Sequence, residues 1–255
     1  DLVRSRGLGD VYKRQVRMTS AQAQLLATAT ALGVLRDDCV FVGGAILCVY
    51  VGHTPPPRAT KDVDIVVSVH STVDYELDVA RPLRDLGWTE DTSEGAPRCR
   101  FIHPVAGVLD AMPLSDADFG FSNRWYPEVV RSACSVSIGG LELRVASLPG
   151  FLATKVEAFL GRGESDWRSS HDLEDILTLL STGEDVVALV DVAERTLRAF
   201  LRDTFAEWLT PVPTLLTIDG QYLTIDGKRL SLGDEPAPIE PVSYTHLTLP
   251  TSDLV

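Results

Sequence analysis

Phe41 to Val67 constrains this chain more than any other stretch, and it reads FVGGAILCVYVGHTPPPRATKDVDIVV. Cys39 to Val42 is a short apolar run ending at Gly43-Gly44, and Ala45 to Tyr50 follows as an apolar segment long enough to begin a buried helix. The pattern predicts a strand, a glycine turn and a helix start. Two glycines let the backbone approach a ligand with no Cβ in the way, and the free N–H groups of a helix start favour an anion such as phosphate. An ordinary tight turn would read the same way, so the pair needs a companion feature.

That companion is Asp62-Val63-Asp64-Ile65-Val66-Val67, which alternates and then runs apolar, as a strand with one buried face does. Residues two apart on a strand point the same way. Asp62 and Asp64 therefore project from one face with Cα atoms roughly 7 Å apart, near enough for both carboxylates to bind the hard, oxygen-seeking Mg²⁺. A pair of solvated acids on an edge strand would share this spacing. Arg58 and Thr60, again two apart, precede the acids.

Gly-Gly followed by R-x-T-x-D-x-D and an apolar strand resembles the signature of nucleotidyltransferases with the polymerase-beta-like fold. The resemblance implies a third carboxylate from a neighbouring strand, and Val105 to Met112 offers Asp110 inside a short apolar segment. A charge there is costly unless it is paired or binds a cation. A turn acid that ends the strand before Pro113 is the alternative. On the resemblance, Gly43, Gly44, Arg58 and Thr60 belong to the nucleotide-binding set. Asp62, Asp64 and Asp110 would be both the catalytic acids and the ligands of two Mg²⁺ ions, with an NTP as substrate.

The ends of the chain are of another kind. SRGLGDVYKRQ and VSYTHLTLPTS resemble translated sequencing-adaptor DNA, so residues 1–15 and 242–255 are set aside as non-native flanks, with Met18 the expected start. Dropping them removes Arg4, Arg6, Lys13 and Arg14 against Asp1, Asp10 and Asp253, which leaves 19 basic and 33 acidic residues, a net −14. A uniformly basic nucleic-acid surface is excluded by that balance, although a local patch is not. No apolar run approaches a membrane span. Cys39, Cys48, Cys99 and Cys134 lack C-x-x-C spacing and sit mostly among apolar neighbours, as reduced core residues of a cytoplasmic protein would. The histidines show no zinc-ligand pattern.

In chain order, Thr19 or Ser20 can cap a helix to about Leu32, and Ser71 or Thr72 another to about Leu86, with Val73, Leu77, Ala80 and Leu83 inward and Pro82 as a kink. Residues 98–102 and 105–112 read as a hairpin presenting Asp110, and Gly139-Gly140 joins a second hairpin. The reading is an α/β (α+β) fold in which a mixed β-sheet core with helices, residues 16–146, precedes a helical domain, 147–210, and a hairpin tail, 211–241. One helix is expected from Ser147 to Leu160, with Leu152, Val156, Phe159 and Leu160 as its stripe. Another runs from Ser170 to Ser181 burying Leu173, Ile176, Leu177 and Leu180. Residues 186–209 follow as a helical stretch with Arg195, Arg198 and Arg202 along one side. The repeat LTIDG, at 216–220 and 223–227, suggests a small hairpin.

Within the helical part, K-x-x-A-x-x-x-R at Lys155 to Arg162 and D-x-x-D at Asp172 and Asp175 could simply complement helix dipoles. They also resemble the downstream motifs of the AbiE-type toxin nucleotidyltransferases and their uncharacterised relatives, although His171 stands where the family often has a basic residue. The resemblance makes Lys155 catalytic, neutralising phosphate charge from the helical side, and adds Arg162, Asp172 and Asp175 to the nucleotide-binding set. It implies transfer of a nucleoside monophosphate to an acceptor hydroxyl, on RNA in a toxin–antitoxin setting with a cognate antitoxin as partner. Two alternatives are a small hydroxylated acceptor, as in aminoglycoside and lincosamide nucleotidyltransferases, and a nucleotide-binding module without turnover.

Overall fold

In the computed structural model Thr19 caps helix α1 (Ser20–Ala31) with both halves of a capping box, its hydroxyl accepting from the Gln22 amide while the Gln22 side chain accepts from the Thr19 N–H. The structure describes residues 19–51, 60–114, 119, 123–162, 170–182, 185–209, 217–219, 222–225 and 228–231. Arg58, Arg168 and both adaptor-like flanks lie outside the described residues. Strand β1 (Cys39–Val42) is buried at every position and stops at Gly43, after which a 3-10 turn (Gly44–Ile46) and a single turn of helix, α2 (Leu47–Tyr50), replace the longer helix the apolar run suggests.

Strand β2 (Asp62–Val67) leads to α3 (Thr72–Tyr75), capped by the Ser71 hydroxyl, and α3 passes through a π turn (Glu76–Ala80) into α4 (Arg81–Asp85). That wide turn corrects the expected inner face. An extra residue in the turn shifts the helical register, so Tyr75, Val79, Ala80 and Leu83 are buried while Val73 and Leu77 are exposed. Pro82 is the second residue of α4, directly after the π turn.

Strands β3 (Thr89–Glu90), β4 (Arg100–His103) and β5 (Gly107–Pro113) come next, then α5 (Tyr126–Arg131) and the hairpin β6 (Cys134–Ile138) and β7 (Leu141–Val145). Gly139 and Gly140, at φ 59° and 85°, supply the left-handed pair that a two-residue hairpin turn requires. Among the described residues these strands form one seven-stranded mixed sheet in the order β3-β4-β5-β2-β1-β7-β6. β2 runs parallel to β5 and β1 parallel to β7, the other pairs being antiparallel. One face of the sheet is core: Val63, Leu109 and Phe101 are register partners on β2, β5 and β4, and each is 0% exposed.

Helices α6 (Leu148–Arg162), α7 (His171–Leu180), α8 (Val186–Asp191) and α9 (Arg195–Leu209) complete the helical part. In α6, Leu152, Val156 and Phe159 are buried as expected, and Leu160 is exposed. α7 buries Asp175, Ile176 and Leu179, whereas Leu177 and Leu180 are exposed and Leu173 is half-buried. The expected apolar stripe is displaced because α7 turns a carboxylate toward α6, where it meets Lys155. Residues 186–209 form two helices with a break between them, since Glu194 accepts from the Thr196 and Leu197 amides and so caps α9.

By its packing the chain divides into residues 1–204 and 205–255. The second unit contains β8 (Thr217–Asp219), β9 (Tyr222–Ile225) and β10 (Lys228–Ser231) in an antiparallel three-stranded sheet, with the repeated LTIDG segments entering β8 and β9. Among the described residues no helix is long and apolar enough to cross a membrane.

Candidate active site

The sheet face opposite the Val63 row carries the charges. Asp64 on β2 pairs in register with Asp110 on β5, and Asp110 pairs with Arg100 on β4. Cross-strand partners share a face about 5 Å apart, so an acid, an acid and a cation stand side by side across three strands, with Asp62 two residues along on the same face. On the other flank Val42 is the register partner of Asp64. The next residue, Gly43, has φ 70°, and a Cβ added there would lie 1.8 Å from the Asp64 carboxylate oxygen Oδ2. The glycine turn is therefore pressed against the second acid of the D-x-D pair, and only a residue without a side chain fits.

Asp110 sits inside β5 and does not end the strand. It is buried, and the cation its burial demands is Arg100, whose Nε donates to Oδ1 at 2.8 Å and whose Nη2 donates to Oδ2 at 2.7 Å. The same Nη2 lies 3.4 Å from Asp62 Oδ2, and this fork raises the Arg100 pKa above its ordinary value, the Asp110 hydrogen bond being the largest cause. The Thr60 hydroxyl, two residues upstream, donates to Asp62 Oδ1 at 3.0 Å.

On α6, Lys155 is nine-tenths buried. It donates to Asp172 Oδ1 at 3.2 Å and makes an ion contact of 2.6 Å with Asp175 Oδ2, both acids belonging to α7. Asp175 is 0% exposed. A buried ammonium needs such partners, and two carboxylates one helical turn apart supply them. The side chain of Arg162 lies outside what the structure describes.

A cleft of ≈ 470 Å³ joins the two sets: Gly43, Asp64, Arg100 and Asp110 line it from the sheet, Lys155 and Asp172 from the helices. Asp62, Thr60, Gly44 and Asp175 are not part of that lining. Among the described residues no three histidine, cysteine, aspartate or glutamate side chains are arranged to hold a metal ion. Arg100 bridges Asp62 and Asp110. By donor chemistry the set still suits Mg²⁺, with all-oxygen carboxylate ligands on one face and a Cβ-free cradle beside Asp64.

Arg100 and Glu157 both line the cleft and were missed by the sequence reading, and Arg100 is the one that meets the sheet acids. The signal was hairpin arithmetic: with His103 facing Gly107, residue 100 must oppose residue 110.

Comparison with known proteins adds the following. A family model described as "Nucleotidyl transferase AbiEii toxin, Type IV TA system" matches residues 24–243. No curated protein matches the sequence. Among solved structures, the antibiotic-resistance factor ANT(2'')-Ia is similar at a TM-score of 0.46 and 18% identity, covering 75% of this chain and 96% of that one. An antigenic nucleotidyltransferase-like protein from Paracoccidioides brasiliensis aligns at 0.46 and 15%, covering 74% and 90%. The lincosamide antibiotic adenylyltransferase LnuA aligns at 0.39 and 18%, covering 63% and 96%.

Proposed function

The chain belongs to the AbiEii nucleotidyltransferase toxin family, and on that basis we propose that it transfers a nucleoside monophosphate from an NTP to a hydroxyl of RNA, as the toxin of a toxin–antitoxin pair. The observation that carries the reading is the cleft in which the sheet acids Asp64 and Asp110 and the helical cation Lys155 share one volume. The reaction needs opposite charges at separate places: carboxylates where ions and the reacting phosphate meet, and a fixed cation for the remaining phosphate charge.

In this reading the backbone N–H groups after Gly43 and Gly44 receive the triphosphate, and Arg58 and Thr60 are assigned to the same nucleotide. Asp62, Asp64 and Asp110 would hold Mg²⁺, which supplies positive charge against the α-phosphate and the departing pyrophosphate. Lys155 neutralises phosphate charge from α6, held in place by Asp172 and Asp175. The acceptor oxygen bonds to the α-phosphorus as the bond to the bridging oxygen breaks, and pyrophosphate and the hydroxyl proton are released. Arg162 and Lys61, with Arg58 and Arg168, are the cations proposed to meet an RNA backbone.

A second reading is favoured by Glu157 and Asp172, which line the same cleft as Asp64 and Asp110. Four carboxylates suit a small polyhydroxylated cation of the aminoglycoside kind. Incubation with labelled NTPs, total RNA and an aminoglycoside panel, with Mg²⁺ and after chelation, separates the two. Label in RNA, falling steeply with added salt, is the expected result. Label only in the small-molecule fraction moves the assignment to the second reading, and NTP binding without pyrophosphate release leaves a binding module.

A further inference from the structure

Arg100 is fixed at its base and open at its tip. Its N–H donates to the Pro97 carbonyl in the turn before β4 at 3.0 Å, and its own carbonyl accepts from the Asp91 amide just after β3 at 3.0 Å, so the backbone is tied on both counts. The side chain is 28% exposed and lines the cleft, whereas the Asp110 side chain it grips is only 12% exposed. The guanidinium therefore has open volume beside it on the cleft side.

Three carboxylates on one face repel one another unless a cation stands among them, and the described residues give that place to Arg100. The fork on Asp110 and the longer reach to Asp62 use the same oxygens that a divalent ion would need. We propose that Arg100 is an internal counter-cation of the carboxylate row, which divalent ions displace into the cleft when they bind. The inference rests on the reading of Asp62, Asp64 and Asp110 as the metal-holding acids. Arg100 thus competes with the ion: it occupies the Asp62 and Asp110 oxygens in the ion-free protein, and its departure is part of ion binding. The displaced guanidinium enters the volume that Lys155 also lines, so the cleft gains a second cation in the same event.

A purely structural Arg100 would weaken ion binding when removed, because its acids would lose their alignment. A competing one strengthens it. The test is Mn²⁺ binding to the full chain without nucleotide, read by electron paramagnetic resonance, for wild type, Arg100→Ala and Arg100→Lys. Arg100→Ala is expected to bind Mn²⁺ at least tenfold more tightly than wild type. Arg100→Lys, which keeps the charge and loses the fork, is expected to lie between them. Unchanged or weaker binding in a folded Arg100→Ala overturns the proposal, as does the absence of Mn²⁺ binding in all three. Should Arg100→Ala fail to fold, a folded Arg100→Lys with wild-type Mn²⁺ affinity overturns it equally. Because the readout is ion binding to the protein alone, its outcome is separate from the transfer assay: wild type that binds Mn²⁺ but transfers no label defeats the functional reading and leaves the exchange standing.

Discussion

Gly43 and Asp64 are in such close contact that a methyl group on the first would occupy the carboxylate of the second. The backbone at Gly43, φ 70° and ψ −169°, is a region that only glycine takes readily, and an L side chain there adds a penalty of about 1–3 kcal/mol. Gly43→Ala is therefore expected to retain its far-ultraviolet circular dichroism, lower the thermal midpoint by about 2–8 °C, and reduce transfer about a hundredfold by displacing Asp64. Near-normal transfer by a folded Gly43→Ala would show that the contact does not position the acid.

Asp62 and Asp110 meet the same guanidinium but differ in what they do for the fold. The Asp110 fork is short and largely buried, whereas the Asp62 contact is 3.4 Å and its side chain 34% exposed. Asp110→Asn is expected to destabilise by about 2–3 kcal/mol and Asp62→Asn by less than about 1 kcal/mol. Both, with Asp64→Ala, should lose about a thousandfold or more in transfer. Urea unfolding alongside labelled-NTP assays measures the two effects separately.

Asp175 is the fully buried member of the Lys155 cluster, and Asp172 is its partly exposed companion. Removing the Asp175 charge leaves an ammonium in the protein interior with one weaker partner. Asp175→Asn is expected to cost about 3–5 kcal/mol, and Asp172→Asn about 1 kcal/mol. Equal losses would mean that the deeper burial of Asp175 adds nothing to its hold on Lys155.

Three of the four thiols are sealed by burial, which pushes Cys39 and Cys99 up to about 12 and Cys48 up to about 11 from an ordinary 9.0, while Cys134 is exposed. A thiol reagent at neutral pH should label one cysteine in the native protein and four after denaturation. Raised folded pKa values also fix the sign of the alkaline response. The unfolded thiols ionise near 9 while the folded ones stay neutral, so their stabilisation is complete below pH 9 and declines as pH rises toward 11–12. The thermal midpoint should fall over that window, and a flat profile from pH 8 to 11 would contradict it.

The alternation of Asp62 to Val67 made β2 legible, and the glycine pairs made both turns legible, because strand period and positive φ leave direct marks on residue choice. Arg100 was harder to see, since its importance comes from the register of a hairpin and not from its neighbours in sequence. The face of α3 and α4 was misjudged at Val73 and Leu77 because a π turn changes the period without a distinctive residue type. On α7, Leu177 looked as apolar as Leu179. Which of the two is covered depended on the Asp175 contact with another helix.

The parallel pairing of β2 with β5 also has a consequence for a chain emerging from the ribosome. Asp64 acquires its neighbour Asp110 only after 46 further residues, and the cation and its anchor, Lys155 and Asp175, come later still. A one-residue slip in that pairing would turn the acids onto opposite faces. No nascent fragment ending before α6 contains both sides of the cleft, and none ending before α7 contains the acids that hold Lys155, so the order of synthesis itself delays the finished cleft until two separate stretches of chain have followed the sheet.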